Sequence, residues 1–300
     1  MTFISPFDSP FLNHSPPLRL SIDNRLINAA VALLLFFACS AQANERRSRA
    51  WEQAHAQEWK LALPLFRELA ASKEATRKDR FGLALALLFQ QPRTKNVLDK
   101  ADQLFTKLTD EFSDDPIGIA SQYYRIRIGH VFSLNPDLDA SRLAYRDLYR
   151  KYSDDFFGQQ ALVRYAILTT FASQPIGDLK ADLPEIEAIA PRLSEPSSRR
   201  DAALALAQAY LVLFRDKRSA LKWYNVADEA GITRRADSKR SYLSAAGAAW
   251  DLQEWDKARY FYNKFLSLNT RDNREVVVRK RLHAIDRAMA GETIDFHEIP

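Results

Sequence analysis

Two pairs of adjacent aspartates are the first candidates for chemistry in this sequence. Asp114-Asp115 and Asp154-Asp155 lie forty residues apart. Paired carboxylates can serve as acid and base in glycoside hydrolysis, or they can bind a cation. Both pairs come directly before a predicted helix, where an aspartate accepts hydrogen bonds from the backbone N–H groups of the first turn. Helix capping is therefore the favoured interpretation of both pairs.

Histidine and cysteine add little to this inventory. His55, His130, His283 and His297 are scattered, and no two of them have the spacing of metal ligands. The only cysteine is Cys39. The sequence also lacks a phosphate-binding loop, a G-x-S-x-G motif and a dinucleotide-binding glycine pattern. We therefore expect no catalytic residues, no metal and no cofactor, and a protein that is not an enzyme.

A third set of residues suits binding rather than catalysis. Tyr123, Arg127 and His130 recur at positions i, i+4 and i+7, so they share one flank of a predicted helix. Apolar residues such as Ile117 and Ile128 mark a different side of that helix. A phenol, a guanidinium and an imidazole could contact the backbone or the C-terminus of a peptide. We take the three as candidate partner-binding residues, with packing between helices as the alternative.

These residues belong to a chain with an internal repeat. A small residue is followed by an aromatic residue four positions later and by an apolar residue seven positions later, which places all three on one face of a helix. The small residues are separated by 39, 40, 40, 39 and 38 positions. They are Ala62, Ala101, Ser141, Ala181, Ala220 and Ala258.

The later positions of each copy follow the same register, with one departure. The residues four positions on are Phe66, Phe105, Tyr145, Glu185, Tyr224 and Tyr262. The residues seven positions on are Leu69, Leu108, Leu148, Ala188, Ala227 and Phe265. Glu185 breaks the pattern, and Ile186 beside it is the expected substitute. Gly118 and Gly158 also recur at the same interval, after similar segments at 108–115 and 148–155.

A fixed period near forty residues is typical of a stack of helical hairpins. Glycines number only 8 in 300 residues, and strict alternation of apolar and polar residues is scarce, which favours helix over strand. We predict an all-α fold, a right-handed α-solenoid of about six helical hairpins with a C-terminal capping helix. It spans residues 44–291, and residues 292–300 form a loose C-terminal tail.

The repeat resembles the tetratricopeptide repeat (TPR). In that family a small residue opens the second helix and an aromatic residue often lies three positions before it, as Trp59 and Trp255 do here before Ala62 and Ala258. The last copy also has the large and small residues of the family's first helix, at Tyr242, Ala245 and Ala246. The period exceeds the family's usual length of about 34 residues, as in diverged bacterial envelope members. The resemblance implies a concave surface, lined by first helices, that binds protein or peptide.

The N-terminal segment is typical of an exported protein. A run of apolar residues at 29–39 follows Arg19 and Arg25, and Ala41-Gln42-Ala43 forms an A-x-A site after it. About eleven apolar residues are too few to cross a bilayer but suit a signal peptide. We predict a signal peptide at 1–43, with cleavage after Ala43, and a periplasmic or secreted protein.

Cys39 supports an alternative to that prediction. The segment 36–39 resembles the lipobox of bacterial lipoproteins, in which the cysteine is lipidated and becomes the mature N-terminus. Cleavage there would yield an outer-membrane lipoprotein, attached to the membrane by its lipid alone.

Charge gives a weak indication of partners. The net charge of +5 is too small to indicate nucleic acid. The closing helix is basic, which is consistent with peripheral contact with anionic lipid or with a solvated polar face. Its basic residues are Arg271, Arg274, Arg279, Lys280, Arg281 and Arg287.

Together these patterns predict an exported TPR-like scaffold that mediates protein–protein or peptide binding in the bacterial cell envelope. One alternative is a lipid-anchored structural subunit of an outer-membrane or envelope assembly complex. Another is a glycan-active enzyme on an α/α toroid, a fold that also uses six helical hairpins.

Overall fold

The computed structural model describes residues 42–172, 176–232, 235–268 and 272–293, and every regular element within these ranges is helical. In chain order the helices are α1 (42–55), α2 (Trp59–Ala71), α3 (Arg77–Phe89), α4 (Lys95–Glu111), α5 (Pro116–Arg127), α6 (Leu138–Lys151), α7 (Phe156–Phe171), α8 (Ile176–Ile189), α9 (Pro196–Ala209), α10 (Lys217–Glu229), α11 (Arg235–Asp251), α12 (Trp255–Leu268) and α13 (Glu275–Met289). Short π-helical turns, Ile128–Phe132 and Tyr210–Phe214, continue α5 and α9.

Consecutive helices pack as antiparallel hairpins, and the hairpins stack on one another. From α2 to α8 and from α9 to α13 each helix contacts the next, and the short turn after α8 contacts α9. In addition α3 contacts α5, α5 contacts α7 and α7 contacts α9, so the first helices of successive hairpins form a continuous layer. The predicted all-α solenoid of six hairpins closed by a final helix is therefore confirmed. Among the described helices, none combines the length and apolar composition needed to cross a membrane.

The small positions of the repeat lie at the hairpin interfaces, as their spacing predicts. Ala62, Ala101, Ala220 and Ala258 are fully buried, and Ser141 is half-buried. The side chain of Ala181 lies outside the part of the chain that the structure describes. The aromatic residues that follow are all buried, at Phe66, Phe105, Tyr145, Tyr224 and Tyr262. A small residue lets the neighbouring helix approach, and the aromatic ring fills the space beside it.

In the fourth copy of the repeat, the buried positions differ from those that the register predicts. Ile186 is fully buried and takes the aromatic position, as expected, whereas Glu185 accepts a hydrogen bond from Arg150 Nη2 at 2.7 Å. The prediction that Ala188 faces the core is wrong, because Ala188 is exposed and Ala190 is buried instead. The carboxylate pairs with the guanidinium on α6, and the buried positions shift by one residue at Ile186 and by two at Ala190, which lies in the turn after α8.

The second aspartate of each pair caps a helix, which confirms the favoured interpretation for Asp115 and Asp155 but not for Asp114 and Asp154. Asp115 accepts a hydrogen bond from the Gly118 N–H at 2.7 Å at the start of α5. Asp155 accepts one from the Phe157 N–H at 2.7 Å at the start of α7. Each bond satisfies a backbone donor that the helix itself leaves without a partner.

Among the residues that the structure describes, the buried apolar side chains form two clusters. The first belongs to α1–α4 and runs from Ala50 to Leu108; the second belongs to α5–α13 and runs from Tyr123 to Ile285. Tyr124 is half-buried and packs against both clusters. The apolar core is thus divided between the second and third hairpins, with Tyr124 at the division.

The N-terminal predictions fall almost entirely outside the described residues. Cys39, the apolar run and most of the predicted signal peptide belong to residues 1–41. Gln42 and Ala43 are the first residues of α1. In the predicted tail, residues 294–300 also lie outside the described ranges.

Candidate peptide-binding groove

A groove of about 420 Å³ lies over the layer of first helices, between α7, α9 and α11. The side chains that line it come mainly from three successive hairpins. Helix α7 contributes Gln160, Arg164, Ile167 and Phe171; helix α9 contributes Asp201, Leu204 and Gln208; helix α11 contributes Asp237 and Arg240. A volume of this size is typical of a ligand-binding cleft.

Helical periodicity explains why these side chains reach the groove. On α7, positions 160, 164, 167 and 171 follow the spacing of three and four residues that defines one face of a helix. Positions 201, 204 and 208 on α9 do the same. The other faces of α7 are largely buried, because that helix packs against α5, α6, α8 and α9. The groove is therefore the one side of α7 that remains accessible.

The groove combines an apolar floor with charges of both signs. Val163 is buried at its base, and Phe171 is 48% exposed at its edge. The two arginines and two aspartates balance one another in formal charge. Such a surface can bury apolar side chains of a bound segment while its polar groups pair with the segment's backbone amides and charges.

Tyr123, the first of the predicted binding residues, lies in the packed core. Its side chain is only 3% exposed, and its ring centroid lies 5.8 Å from that of Tyr145 and 5.4 Å from that of Phe157. Its hydroxyl oxygen accepts a hydrogen bond from Arg164 Nε at 3.4 Å. The ring cannot meet a partner directly, because the contact of α5 with α7 covers that flank.

Arg127 and His130 are half-buried beside this tyrosine cluster. The Arg127 guanidinium lies 5.9 Å from the centroid of the Phe89 ring. His130 Nδ1 lies 3.5 Å from the Tyr145 hydroxyl oxygen. Burial, followed by the positive charges of Arg164 and Arg127, lowers the pKa of His130. Both effects favour the neutral form of the imidazole. A partner-binding role for this pair stays a prediction.

Sequence reasoning missed Arg164 and the groove residues of α9 and α11. Arg164 lies forty residues after Tyr124, so the two occupy equivalent positions of successive hairpins. That position is aromatic in the third hairpin and Leu204 in the fifth, so no polar residue recurs there and the repeat interval does not single out Arg164. Asp201 and Gln208 carry no signal either, because a polar residue on a helix gives no indication of which neighbour it faces.

The other candidate residues do not converge. Asp114 accepts hydrogen bonds from the Tyr152 hydroxyl at 2.5 Å and from Lys151 Nζ at 3.0 Å, and Asp154 is exposed. The bond from Tyr152, followed by that from Lys151, lowers the pKa of Asp114 to about 2. In the described ranges, no group of three or more histidine, cysteine, aspartate or glutamate side chains could hold a metal ion.

Arg274, Arg279 and Arg287 each have an acidic partner, whereas Arg271 lies outside the described residues. Arg279 Nη2 lies 2.7 Å from Glu275, and Arg287 Nε lies 2.6 Å from Glu292. Arg281 donates a hydrogen bond to the Tyr262 hydroxyl at 2.8 Å. This internal pairing favours a solvated polar face over an anion-binding one.

No protein-family model and no curated protein matches the chain. The function of the groove is therefore argued from its geometry and from the sequence.

Proposed function

We propose that this chain is an exported scaffold that binds a segment of another protein in the groove between α7, α9 and α11. The observation that carries the proposal is the groove itself. Three successive first helices present an accessible stripe to one cleft, and the stripe is neither wholly apolar nor wholly charged. The resemblance of the repeats to the TPR family supports the same use of this surface.

The chemistry of the lining indicates the kind of occupant. The side-chain amides of Gln160 and Gln208 each offer a donor and an acceptor, which suits the alternating C=O and N–H groups of a peptide backbone. Ile167 and Leu204 offer apolar contact. A peptide segment with apolar side chains uses both kinds of contact, whereas a small polar metabolite would leave the apolar floor without a partner.

The cellular compartment is part of the proposal and rests on the sequence. The apolar run at 29–39 and the site at Ala41-Gln42-Ala43 support export to the cell envelope. Cys39 supports the second candidate, a lipid-anchored subunit of an envelope assembly. Both candidates use the same groove, and they differ in how the chain is attached.

Site-specific photocrosslinking tests the groove. A photoreactive residue is introduced at Gln208, inside the groove, and separately at Lys222, which is exposed on α10. In cells, we expect adducts with partner proteins at position 208 and none at the matched position 222. The proposal is overturned if position 208 gives no adduct, or if the two positions give the same adducts in the same yield.

The intact mass of the mature chain tests the compartment. Cleavage after Ala43 gives the mass of residues 44–300, which supports a soluble exported scaffold. A chain that begins at Cys39 with added acyl groups supports the lipid-anchored subunit instead. A full-length cytoplasmic chain overturns export.

A further inference from the structure

A second cavity, which we call the basic pocket, lies between the second helices α2 and α4, and α3 contributes to its lining. Its volume is about 430 Å³, and no residue of its lining belongs to the groove between α7, α9 and α11. Three basic residues and three leucines dominate the lining: Arg67, Lys100, Lys107, Leu83, Leu87 and Leu104. Among the described residues, no aspartate or glutamate lines it. The pocket therefore combines apolar surface with positive charge alone.

Helical periodicity places the charges along the walls of the basic pocket. Lys100, Leu104 and Lys107 occupy positions i, i+4 and i+7 of α4, so they share one face of that helix. At a rise of about 1.5 Å per residue, the two lysines are about 10 Å apart along the helix axis. Arg67 adds a third charge from α2. A ligand in the pocket thus meets a positive charge at each end of the α4 wall, with a leucine between them.

These charges have no counter-ion within the described ranges. No ion pair there joins Arg67, Lys100 or Lys107 to a carboxylate, and all three residues are exposed. Leu83 and Leu104 are half-buried, so part of the apolar surface is accessible as well. Like charges around one cavity reinforce one another's field and attract acidic groups. The lining therefore favours an occupant that is both acidic and apolar.

The equivalent pocket one hairpin later is built differently. It lies between α4, α5 and α6, and four of its lining positions follow those of the basic pocket by 39 or 40 residues. Gln122, Ile126, Ala144 and Asp147 stand there in place of Leu83, Leu87, Leu104 and Lys107. Its two cations have partners, since Arg125 pairs with Asp102 at 3.4 Å and Lys151 with Asp114 at 3.0 Å. Unpaired cations around leucines are therefore not a general result of the repeat.

We propose that the basic pocket binds an acidic, amphipathic helix of a partner protein. A phosphate or a lipid headgroup concentrates its charge at one point, so it would meet only one of Lys100 and Lys107. A helix with two glutamates seven positions apart has the same separation of about 10 Å as the lysines, and its apolar residues between them face Leu104. The proposal goes beyond the proposed function, because it gives the chain a second binding surface on different helices.

Defined peptide pools test this proposal. Three pools of blocked peptides are incubated with the immobilised full-length protein, and retained peptides are counted by mass spectrometry. The first pool has two glutamates seven positions apart and two leucines between them. The second has glutamine in place of the glutamates, and the third has serine in place of the leucines. One exposed ion pair changes affinity by at most about fivefold, so we expect retention of the first pool to exceed that of the second about tenfold. Retention of the third pool should also be lower than that of the first, because the leucine contacts are lost.

Variants of the lysines assign the binding to the basic pocket. Lys100→Gln and Lys107→Gln should each reduce the excess of the first pool over the second to about threefold, and the double variant should abolish it. Both residues are exposed, so their replacement leaves the core intact, and circular dichroism checks the fold. Lys151→Gln is the matched control, because it removes the same charge from the equivalent pocket, where the lysine is already paired. That variant should keep the full excess.

The outcomes separate this proposal from its alternatives. Equal retention of the first two pools overturns it, as does an excess that survives in the double variant or that falls equally in Lys151→Gln. Inorganic phosphate and laurate are tested separately by calorimetry. If either binds the natural chain but not the double variant, while no peptide pool is retained, the pocket is a small-anion or lipid site and the proposal fails. The groove is tested by the crosslink at Gln208, so either proposal can fail without the other.

Discussion

Gly118 lies against the carbonyl oxygen of Phe112, so closely that a Cβ atom on residue 118 would lie 1.9 Å from that oxygen. Gly158 has the same relationship to Tyr152 one hairpin later, at 1.8 Å. In both places the end of a second helix crosses the first turn of the next first helix. The recurrent glycine thus permits the close approach of successive hairpins.

Replacing Gly118 by alanine should destabilise the protein. The added methyl group would meet backbone atoms that cannot rotate away, so we expect a loss of about 1–3 kcal/mol, the range found for overpacked interiors. Chemical denaturation measures the change. Gly247→Ala is the matched control, since a Cβ on Gly247 meets nothing within 4 Å and the residue lies inside α11. That control should be neutral or stabilising by about 0.5–1 kcal/mol; equal losses in both variants would contradict the close-approach argument.

The repeat register predicts that two phenylalanines in the C-terminal half of α4 and just after it contribute very differently to stability. Phe105 is fully buried and stacks with Tyr124 at 5.5 Å, whereas Phe112 is 64% exposed. Phe105→Ala should cost about 3–5 kcal/mol of unfolding free energy, because it leaves a cavity at a hairpin interface. Phe112→Ala removes only a surface contact with Arg77 and should cost about 1 kcal/mol or less. Urea titration of both variants would refute the register if the two losses were similar.

The corrected register of α8 can be tested at adjacent positions. Ile186→Ala removes a fully buried side chain and should cost about 2–4 kcal/mol. Glu185→Ala removes an exposed ion pair with Arg150 and should cost about 1 kcal/mol or less. Thermal denaturation ranks the two variants. A larger loss for Glu185→Ala would restore the register predicted from the sequence.

His130 should make the fold sensitive to acid. Its pKa is lower in the folded state than in the unfolded chain, where it is about 6.5. The unfolded chain therefore binds the proton more readily, and stability that is present above pH 6.5 is lost as the pH falls through the folded-state pKa. His130→Gln keeps a polar side chain but cannot gain this charge.

Melting temperatures measured at pH 7.5 and pH 5 check this prediction. The difference between the two temperatures should be smaller in His130→Gln than in the natural chain. His283→Gln serves as the control, because His283 is exposed on α13 and should leave the difference unchanged. An unchanged difference in His130→Gln would show that burial beside Arg127 and Arg164 does not govern the titration.

The fold could be predicted from the sequence because the repeat reflects how the helices pack against one another. Ala101 and Phe105 recur at a fixed interval only if each copy makes the same interface, so their spacing predicts the hairpins and their order. The register failed where that interface changed. At Glu185 an ion pair with Arg150 competes with apolar burial, and the spacing of residue types cannot show which of two adjacent positions wins.

The candidate site was harder to predict from the sequence than the fold, for a physical reason. Tyr123 and Tyr124 are adjacent, and helical periodicity places them on different faces without showing which face the next hairpin covers. The contact of α5 with α7 settles that question and buries Tyr123. The groove arises from side chains some forty residues apart on separate helices, and only the stacking of those helices brings Arg164 and Asp201 into one cleft.

The two apolar clusters meet at Tyr124, whose ring stacks on Phe105 of α4 at 5.5 Å and so joins the third hairpin to the second. The walls of the 420 Å³ groove all belong to helices beyond that point, so fraying of α1–α4 would leave them standing. Arg127 is different, because its guanidinium rests on Phe89 across the boundary. Loss of the first two hairpins would therefore remove the ring on which the Arg127 guanidinium rests, while the helices that wall the groove would keep their contacts with one another.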